Sequence, residues 1–202
     1  MIKTLFTDLG GVLLTNGWDR AGRARAAEKF GLDAEDCDER HHLTFDTYEI
    51  GKLSLEQYLN RVVFNIRRDF TMEEFQQFMF SQSKPMGDMI DMVKHLKAKH
   101  GLRVVAISNE GAELAQYRID TFKLGEFIDA FFISGFLNTR KPDESIFNTA
   151  LEAMQAKVGE SVYMDDRKLF VEVASSLGLK AIHHTHTETT RQALCDLGLS
   201  SN

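Results

Sequence analysis

Short apolar runs alternate with longer segments of helical periodicity along most of this chain of 202 residues. The apolar runs lie at 2–7, 102–107, 130–133, 161–164 and 180–182. Between the later runs, apolar residues recur at the three- and four-residue spacing of amphipathic helices. This alternation is typical of a parallel sheet covered by helices on both faces. We therefore predict a doubly wound α/β core with five parallel strands.

The segment between the first two predicted strands has a different character. Four helical patterns follow one another there, at 21–30, 35–49, 55–67 and 72–81. Two of them begin with an S/T-x-x-E/Q capping box, and Lys84-Pro85 then marks a boundary, because proline disfavours helix in the residue before it. We predict a core formed by residues 1–15 and 85–202, and a helical cap formed by 16–84. The predicted fold class is α/β, a Rossmann-like sheet with an inserted helical cap.

Charge and cysteine content limit the partners and the location. The net charge of −6 argues against a general affinity for nucleic acid or anionic membranes, although a local basic pocket remains compatible with it. Cys37 and Cys195 lie far apart and show no metal or redox spacing, so we expect structural thiols. No stretch approaches the length of a membrane span. We expect a cytoplasmic monomer or homodimer that binds neither nucleic acid nor membrane.

An aspartate stands at the end of the first predicted strand, where the sequence reads Asp8-Leu9-Gly10-Gly11. The two glycines turn the chain at the edge of the sheet where open α/β folds bind ligands. A carboxylate there can act as a nucleophile, as a metal ligand or as both. On this stretch alone, an aspartate that only caps the turn is an equal alternative.

Further polar side chains follow the later strands. Ser108-Asn109 comes after the second strand, where these residues can bind an anion beside free N–H groups or merely cap a helix. Lys141 precedes a proline, and is either a solvated charge or a partner for the first aspartate and a phosphate oxygen. Asp165 and Asp166 follow the fourth strand. Adjacent carboxylates are unfavourable unless a cation compensates them, and Mg²⁺ favours such ligands.

The order of these motifs resembles the four-motif sequence of the haloacid dehalogenase superfamily. The first stretch resembles that family's D-x-D-G-[TV] motif, but Gly10 replaces the second aspartate. K-P-D-E-S-I-F resembles the family's K-P-x-P-x-I-F, and the late Asp-Asp pair resembles its acidic fourth motif. The helical insert, between the first and second motifs, is similar to the C1-type cap of subfamily I. The resemblance covers nearly the whole chain, and D-x-G is similar to the branch of sugar-phosphate phosphatases.

This resemblance implies a Mg²⁺-dependent phosphatase acting on a small phosphorylated metabolite, such as a sugar phosphate. Asp8 would attack phosphorus and form an aspartyl-phosphate, while Lys141 would neutralise the charge that Asp8 shares with the phosphate. Ser108 and the backbone around Asn109 would bind phosphoryl oxygens. The implied Mg²⁺ ligands are Asp8, the Gly10 backbone carbonyl and Asp166, with Asp165 as a further ligand or an acid behind them.

Two departures from the family pattern bear on turnover. Gly10 offers no side chain, so the usual acid for the leaving oxygen is absent. General acid–base catalysis is typically worth ~10²–10⁴-fold, so we expect a slower enzyme or one with another proton donor. Phe170 stands where many relatives have Asn or Asp, which predicts looser surroundings for Lys141 or the metal.

Two other functions remain open, and so does the role of several cap residues in substrate binding. A 2-haloacid dehalogenase shares the nucleophile but uses no metal, which would leave the Asp-Asp pair as an unexplained repulsion. A low-activity protein that only binds phosphorylated metabolites is the third possibility. Within the cap, Tyr48, Glu49 and Lys52 precede or follow a helix break, and either contact the substrate or pack within the cap.

Overall fold

The sheet holds the predicted strands in one parallel arrangement. The computed structural model describes residues 1–200, and its strands are β1 (Thr4–Thr7), β2 (Arg103–Ser108), β3 (Ala130–Ile133), β4 (Ser161–Asp165) and β5 (Lys180–His183). All pairings are parallel, in the order β3-β2-β1-β4-β5. Thr4 of the central strand lies beside Arg103 on one side and Ser161 on the other. The predicted fold class is confirmed.

Helices connect the strands and build the insert. In chain order they are α1 (Arg20–Phe30), α2 (Ala34–Glu49), α3 (Leu55–Val62), α4 (Met72–Ser81), α5 (Gly87–His100), α6 (Ala112–Thr121), α7 (Ser134–Leu137), α8 (Glu144–Ala153), α9 (Lys168–Ser176) and α10 (Thr187–Asp196). None of the helices in the described part of the chain is long and apolar enough to cross a membrane. The short helix α7 has no counterpart among the predicted elements.

Both faces of the sheet are buried under helices. Successive strand residues point to opposite faces, so Val104 and Ala106 join one hydrophobic cluster while Val105 and Ile107 join the other. The first cluster contains side chains of α5 and α10, and the second contains side chains of α8 and α9. This two-sided burial explains why the strands read as nearly continuous apolar runs rather than as alternating patterns.

The insert between β1 and β2 has its own core, built largely from aromatic rings. Tyr48, Tyr58 and Phe75 are buried in it, and the two tyrosine rings stack with centroids 4.9 Å apart. Helices α3 and α4 begin at the predicted capping boxes, in which Ser54 and Thr71 accept hydrogen bonds from the backbone N–H three residues further on. Both capping predictions are confirmed.

Helix α3 is shorter than predicted, ending at Val62 rather than at Arg67. Arg68 Nε donates to the Val63 carbonyl at 2.6 Å, which satisfies an acceptor that a further helical turn would otherwise use. Phe64 then packs on Phe70, with ring centroids 5.5 Å apart. The apolar residues beyond Val62 therefore pack within an irregular turn. Their spacing in the sequence is the same as that of a helix, so the sequence alone does not distinguish the two.

The two segments that join the insert to the sheet lie side by side. The Thr15 N–H donates to the Lys84 carbonyl at 2.9 Å. Arg118 of α6 contacts both segments, donating to the Thr15 carbonyl at 3.2 Å and to the Ser83 hydroxyl at 2.9 Å. The predicted cap, 16–84, begins and ends at this crossing, and the division into two domains stays a prediction.

Candidate active site

The carboxyl ends of β1 and β4 bring the predicted acidic residues together. These strands are neighbours, but the chain continues from β1 towards α5 on one face and from β4 towards α9 on the other. Ligands of open α/β sheets bind at such switch points. A cleft of about 440 Å³ opens there, and both the sheet edge and the cap line it. Asp8, Gly10, Ser108, Asn109 and Asp166 all border this cleft.

Asp8 is buried beneath the cleft, with a relative exposure of 7%. Its Oδ1 accepts a hydrogen bond from the Leu9 N–H at 2.8 Å and lies 3.2 Å from Lys141 Nζ. Burial raises the pKa of the Asp8 carboxyl to about 7, although the Lys141 ammonium opposes the change. Nearby carboxylates, first among them Asp165, raise the pKa further. A bound cation would favour the ionised, nucleophilic form of Asp8.

Lys141 is completely buried, and its ammonium group is held by several acceptors. Nζ donates to the Ile107 carbonyl at 3.0 Å, to Tyr163 Oη at 3.2 Å and to Asp165 Oδ2 at 2.6 Å. Burial disfavours the charged form, but Asp8 and Asp165 hold the pKa of Lys141 above its ordinary value. The alternative that this lysine is a solvated surface charge is excluded by its burial.

Phe170 fills the space next to this ammonium. Its ring centroid lies 5.0 Å from Lys141 Nζ, within the range of a cation–π contact. The expected loosening around Lys141 is therefore absent on this side, because an aromatic face takes the place of the polar side chain.

Ser108 and Asn109 reach the site at the end of β2, but their side chains have different partners. The Ser108 hydroxyl donates to Glu110 Oε1 at 3.2 Å and also lies close enough to Asp8 to lower its pKa. Asn109 Nδ2 donates to the Lys141 carbonyl, and the Lys141 N–H donates back to Asn109 Oδ1, both at 2.8 Å. The Asn109 side chain thus fixes the loop that carries Lys141, which leaves the Asn109 backbone for ligand contact.

Three carboxylates form a cluster with ligand atoms within 4.8 Å of one another: Asp8, Asp165 and Asp166. Both oxygens of Asp165 have partners, since Oδ2 accepts from Lys141 and Tyr163 while Oδ1 accepts from the Arg167 N–H at 2.7 Å. Asp166 differs, because its Oδ1 is buried without a hydrogen-bond partner. A buried, unpaired carboxylate oxygen is costly unless a cation or a donor meets it.

Gly11 explains how Asp166 fits beside the first motif. Its φ of 76° is favourable only for glycine, and a Cβ there would overlap the Asp166 carboxylate. Gly10 lies outside the left-handed region, and a Cβ on it would lie 3.1 Å from Asn16 Oδ1. The backbone conformation and the contact with Asp166 therefore require a glycine at position 11, whereas the backbone conformation does not require one at position 10.

Sequence reasoning missed a buried ion pair at the back of the cleft. Arg118 Nη1 lies 2.6 Å from Glu110 Oε1, and both side chains are at most 4% exposed. Glu110 follows Ser108 by two residues, whereas Arg118 lies in the last turn of α6. A charged residue within an amphipathic helix is ordinarily solvated, so the sequence carries no signal for this pair.

The cap contributes one wall of the cleft through the last turn of α2. Tyr48 and Glu49 line the cleft, whereas Lys52 is exposed and does not. Arg140, from the loop that carries Lys141, forms ion pairs with Glu49 and Asp46 of this helix. The sequence left open whether Tyr48 and Glu49 contact the substrate or pack within the cap, and it did not single out Arg140.

The fold and the site define an α/β protein in which a buried aspartate, a lysine and an acidic cluster meet at the switch point of a parallel sheet. The family model of haloacid dehalogenase-like hydrolases matches residues 2–169. The chain belongs to this family of hydrolases.

Similar proteins match more than nine-tenths of this chain. D-Ribitol-5-phosphate phosphatase of Bacteroides thetaiotaomicron is 24% identical over 202 residues, covering 96% of this chain and 97% of that protein. A haloacid dehalogenase family enzyme from the same organism, solved with magnesium and inorganic phosphate, has a TM-score of 0.78 at 21% identity, covering 92% and 95% of the two chains. A predicted hydrolase of this family from Porphyromonas gingivalis has a TM-score of 0.77 at 22% identity, covering 98% of each chain.

Proposed function

We propose that the protein is a Mg²⁺-dependent phosphatase that hydrolyses a small phosphorylated metabolite through an aspartyl-phosphate on Asp8. The observation that carries the proposal is the pairing of Asp8 with a fully buried Lys141, 3.2 Å away, beside the unpartnered Asp166 Oδ1. Phosphoryl transfer through a covalent intermediate uses a nucleophile, a fixed positive charge that stabilises the phosphoryl oxygens, and carboxylate oxygens that are available to bind a metal ion.

The residues present fit a magnesium ion. Asp8, Asp166 and the Gly10 backbone carbonyl would hold it, since Asp166 Oδ1 is buried without a donor and Gly11 leaves room for that carboxylate. Mg²⁺ accepts a few carboxylates and keeps water and substrate oxygens as its other ligands. Bound there, it would supply Lewis acidity to the phosphoryl oxygens. We assign Asp165 to holding Lys141 rather than to the ion, because both its oxygens have protein donors.

The chain's own residues then account for two steps. In the first, Asp8 attacks phosphorus, and the ester P–O bond breaks as the alcohol leaves with a proton. In the second, water attacks the aspartyl-phosphate, which releases phosphate and restores Asp8. Lys141 stabilises negative charge in both steps, because Asp165 and Tyr163 fix its ammonium group beside Asp8. Ser108 and the N–H groups near Asn109 would bind the phosphoryl oxygens.

The substrate class we propose is a sugar or polyol phosphate. The curated relative is named for ribitol 5-phosphate, and a cleft of about 440 Å³ has room for a molecule of that size. Polar and charged side chains from both core and cap border the cleft, among them Arg20, Arg140 and Arg167. The cytoplasmic location and the monomeric or dimeric state remain predictions.

The test is phosphate release from a panel of sugar and polyol phosphates, with Mg²⁺ and with EDTA. We expect release that requires Mg²⁺ and disappears in Asp8→Asn and Asp166→Asn. Asp196→Asn serves as a matched control, because Asp196 is an exposed carboxylate on α10. Undiminished release in EDTA would refute the metal assignment.

The two other functions give different results in the same assay. Halide release from a 2-haloacid, independent of Mg²⁺, would favour a dehalogenase and leave the vacant Asp166 Oδ1 unexplained. Phosphate binding without turnover on any substrate would favour a binding protein. The intact set of Asp8, Lys141 and Asp166 supports the phosphatase over both.

A further inference from the structure

A phosphatase with Gly10 in its first motif lacks an acid at that position, so the leaving oxygen must receive its proton elsewhere. The cleft-lining side chains with an acidic proton to offer are Asp8, Asp19, Tyr48, Glu49, Glu110 and Asp166. Asp8 and Asp166 serve as nucleophile and metal ligand in the proposed function. Four candidates therefore remain.

Three of the four have other partners or the wrong acidity. Asp19 caps α1, accepting from the Gly22 N–H at 2.7 Å. Glu110 Oε2, like Glu49 Oε2, lacks a hydrogen-bond partner, but Glu110 Oε1 accepts hydrogen bonds from Arg118 and Ser108, which stabilise its charged form, whereas Arg140 pairs with Glu49 without a hydrogen bond. Burial raises the pKa of the Tyr48 hydroxyl well above its ordinary value, so it is a poor proton donor near neutral pH. Glu49 is left.

The position of Glu49 is fixed by contacts between the cap and the core. Its backbone carbonyl accepts a hydrogen bond from Ser134 Oγ at 2.7 Å, and the next carbonyl, of Ile50, accepts one from Asn138 Nδ2 at 2.8 Å. Just after this turn, a Cβ on Gly51 would overlap the Gly135 carbonyl, so the two backbones are in close contact. The last turn of α2 is therefore anchored on the core, and Glu49 lines the same cleft as Asp8.

The Glu49 carboxyl group has an oxygen that lacks a hydrogen-bond partner. Glu49 is 6% exposed, and its Oε2 is buried without a hydrogen bond, although Arg140 Nε lies 3.0 Å away as an ion-pair partner. Such an oxygen can be satisfied by a donor, or can itself donate to a substrate oxygen when it is protonated. This arrangement suits a group that exchanges a proton with a bound ligand.

From this geometry we infer that Glu49 is the general acid of the reaction, taking the role that the missing second aspartate has in the family. The inference rests on the proposed phosphatase function. As the ester P–O bond breaks, the Glu49 carboxyl proton passes to the leaving oxygen, and the alcohol departs neutral. The Glu49 carboxylate then takes a proton from the water that attacks the aspartyl-phosphate, which returns it to its starting form.

Charges around Glu49 are consistent with this role. Burial raises the pKa of the Glu49 carboxyl to about 7, and Arg140 opposes that change. Asp46 of the same helix and Glu110 from the core raise the pKa, while Lys141 lowers it. A substantial fraction of the protonated acid is therefore present near neutral pH, whereas an exposed glutamate would be fully ionised.

The experiment compares kcat/KM of wild type and Glu49→Gln on two substrates, an alkyl phosphate such as ribitol 5-phosphate and the aryl ester p-nitrophenyl phosphate. This ratio reports the steps through departure of the leaving group. We expect Glu49→Gln to lower kcat/KM on the alkyl ester by ~10²–10⁴-fold. The aryl ester should change little, because nitrophenolate leaves without a proton. The alkaline fall of the wild-type pH profile, with its midpoint near the pKa of about 7, should disappear in the variant.

Glu39→Gln is the matched control, because Glu39 is an exposed glutamate of the same helix, α2, and does not line the cleft. It should leave the ratio between the two substrates unchanged. Equal losses on both esters in Glu49→Gln, with folding verified by circular dichroism, would overturn the inference and make Glu49 a positioning residue. Unchanged activity on the alkyl ester would overturn it as well.

Asp8→Asn, measured in parallel, separates this inference from the proposed function. If wild type hydrolyses the esters and Asp8→Asn does not, the phosphatase stands and only the role of Glu49 is at issue. If neither ester is hydrolysed by wild type, or Asp8→Asn is as active as wild type, the proposed function itself fails.

Discussion

The buried pair between Arg118 and Glu110 allows a stringent test of how the core holds the cap. Arg118 is 1% exposed and donates to Glu110 Oε1 at 2.6 Å, to the Ser83 hydroxyl at 2.9 Å and to the Thr15 carbonyl at 3.2 Å. Arg118→Met keeps the volume of the side chain but removes all of these donors. Glu110 then stays buried with its charge uncompensated.

The expected magnitude follows from that unpaired charge. Removal of one partner of a buried ion pair costs roughly 3–5 kcal/mol. In a chain of this length each kcal/mol lowers Tm by roughly 2–4 °C, so Arg118→Met should lower Tm by roughly 6–20 °C. Replacing both partners removes the buried charge, and the double variant Arg118→Met/Glu110→Met then loses mainly the hydrogen bonds to Ser83 and Thr15, each worth about 0.5–1.5 kcal/mol.

Urea unfolding at neutral pH measures the free energy of unfolding of wild type, both single variants and the double variant. We expect the double variant to be more stable than Arg118→Met, although it carries one more substitution. The difference should persist in high salt, because a buried pair is screened little. A double variant destabilised by the sum of the two single effects would refute the reasoning, since additivity means that the two charges are not coupled.

Three further predictions concern Gly10, Glu49 and a helix cap. In the Glu49→Gln background, Gly10→Asp should restore part of the lost activity on alkyl phosphates. Gly10 does not have a left-handed backbone, and a new Cβ would lie 3.1 Å from Asn16 Oδ1, so the Asn16 side chain must shift slightly. A folded double variant that recovers no activity would contradict this prediction. The Glu49 pKa is raised from 4.5 to about 7, so the folded state binds more protons than the unfolded state in that window. Wild-type stability should therefore fall relative to Glu49→Gln as pH rises from 4.5 to above 7, by roughly 3 kcal/mol in urea unfolding; parallel stability curves would contradict it. Ser54→Ala should cost about 1 kcal/mol, because Ser54 accepts from the Gln57 N–H, whereas the exposed Ser176→Ala on α9 should cost less.

Most strands and helices could be predicted from the sequence, because buried apolar residues recur along it at spacings typical of strands and helices. The central strands β1, β2 and β4 are buried on both faces, and polar turns separate strands from helices, so strands and helices alternate visibly. The short helix α7 and the early end of α3 do not follow, because both depend on contacts with distant residues. Ser134 of α7 donates to the Glu49 carbonyl, and Arg68 donates to the Val63 carbonyl. The local spacing of apolar residues does not indicate either of these hydrogen-bond partners.

The site divides in the same way. The meeting of Asp8, Ser108 and Asp166 could be predicted, because each stands at or just after the end of a strand at the same edge of the sheet, and Lys141 joins them from the loop after α7. The different hydrogen-bond partners of the adjacent carboxylates Asp165 and Asp166 could not be predicted. They depend on Tyr163 and Lys141, which donate to Asp165 Oδ2, while Asp166 Oδ1 has no hydrogen-bond partner. Sequence neighbours can thus face different surroundings at a strand end, where successive side chains point in different directions.

Gly10 links the sequence departure to the structure of the cap. Gly11 must be glycine, because its φ is 76° and Asp166 lies against it, but neither reason applies to Gly10. The backbone therefore does not force the loss of an acid from the first motif, and a phosphatase without that acid is either slower or requires another group to supply the proton. Glu49 meets the requirement because Ser134 fixes its backbone against the core at 2.7 Å. If the acid belongs to the cap, proton transfer requires the cap to contact the core. Hydrolysis of alkyl esters would then depend on that contact, whereas hydrolysis of aryl esters would depend on it less.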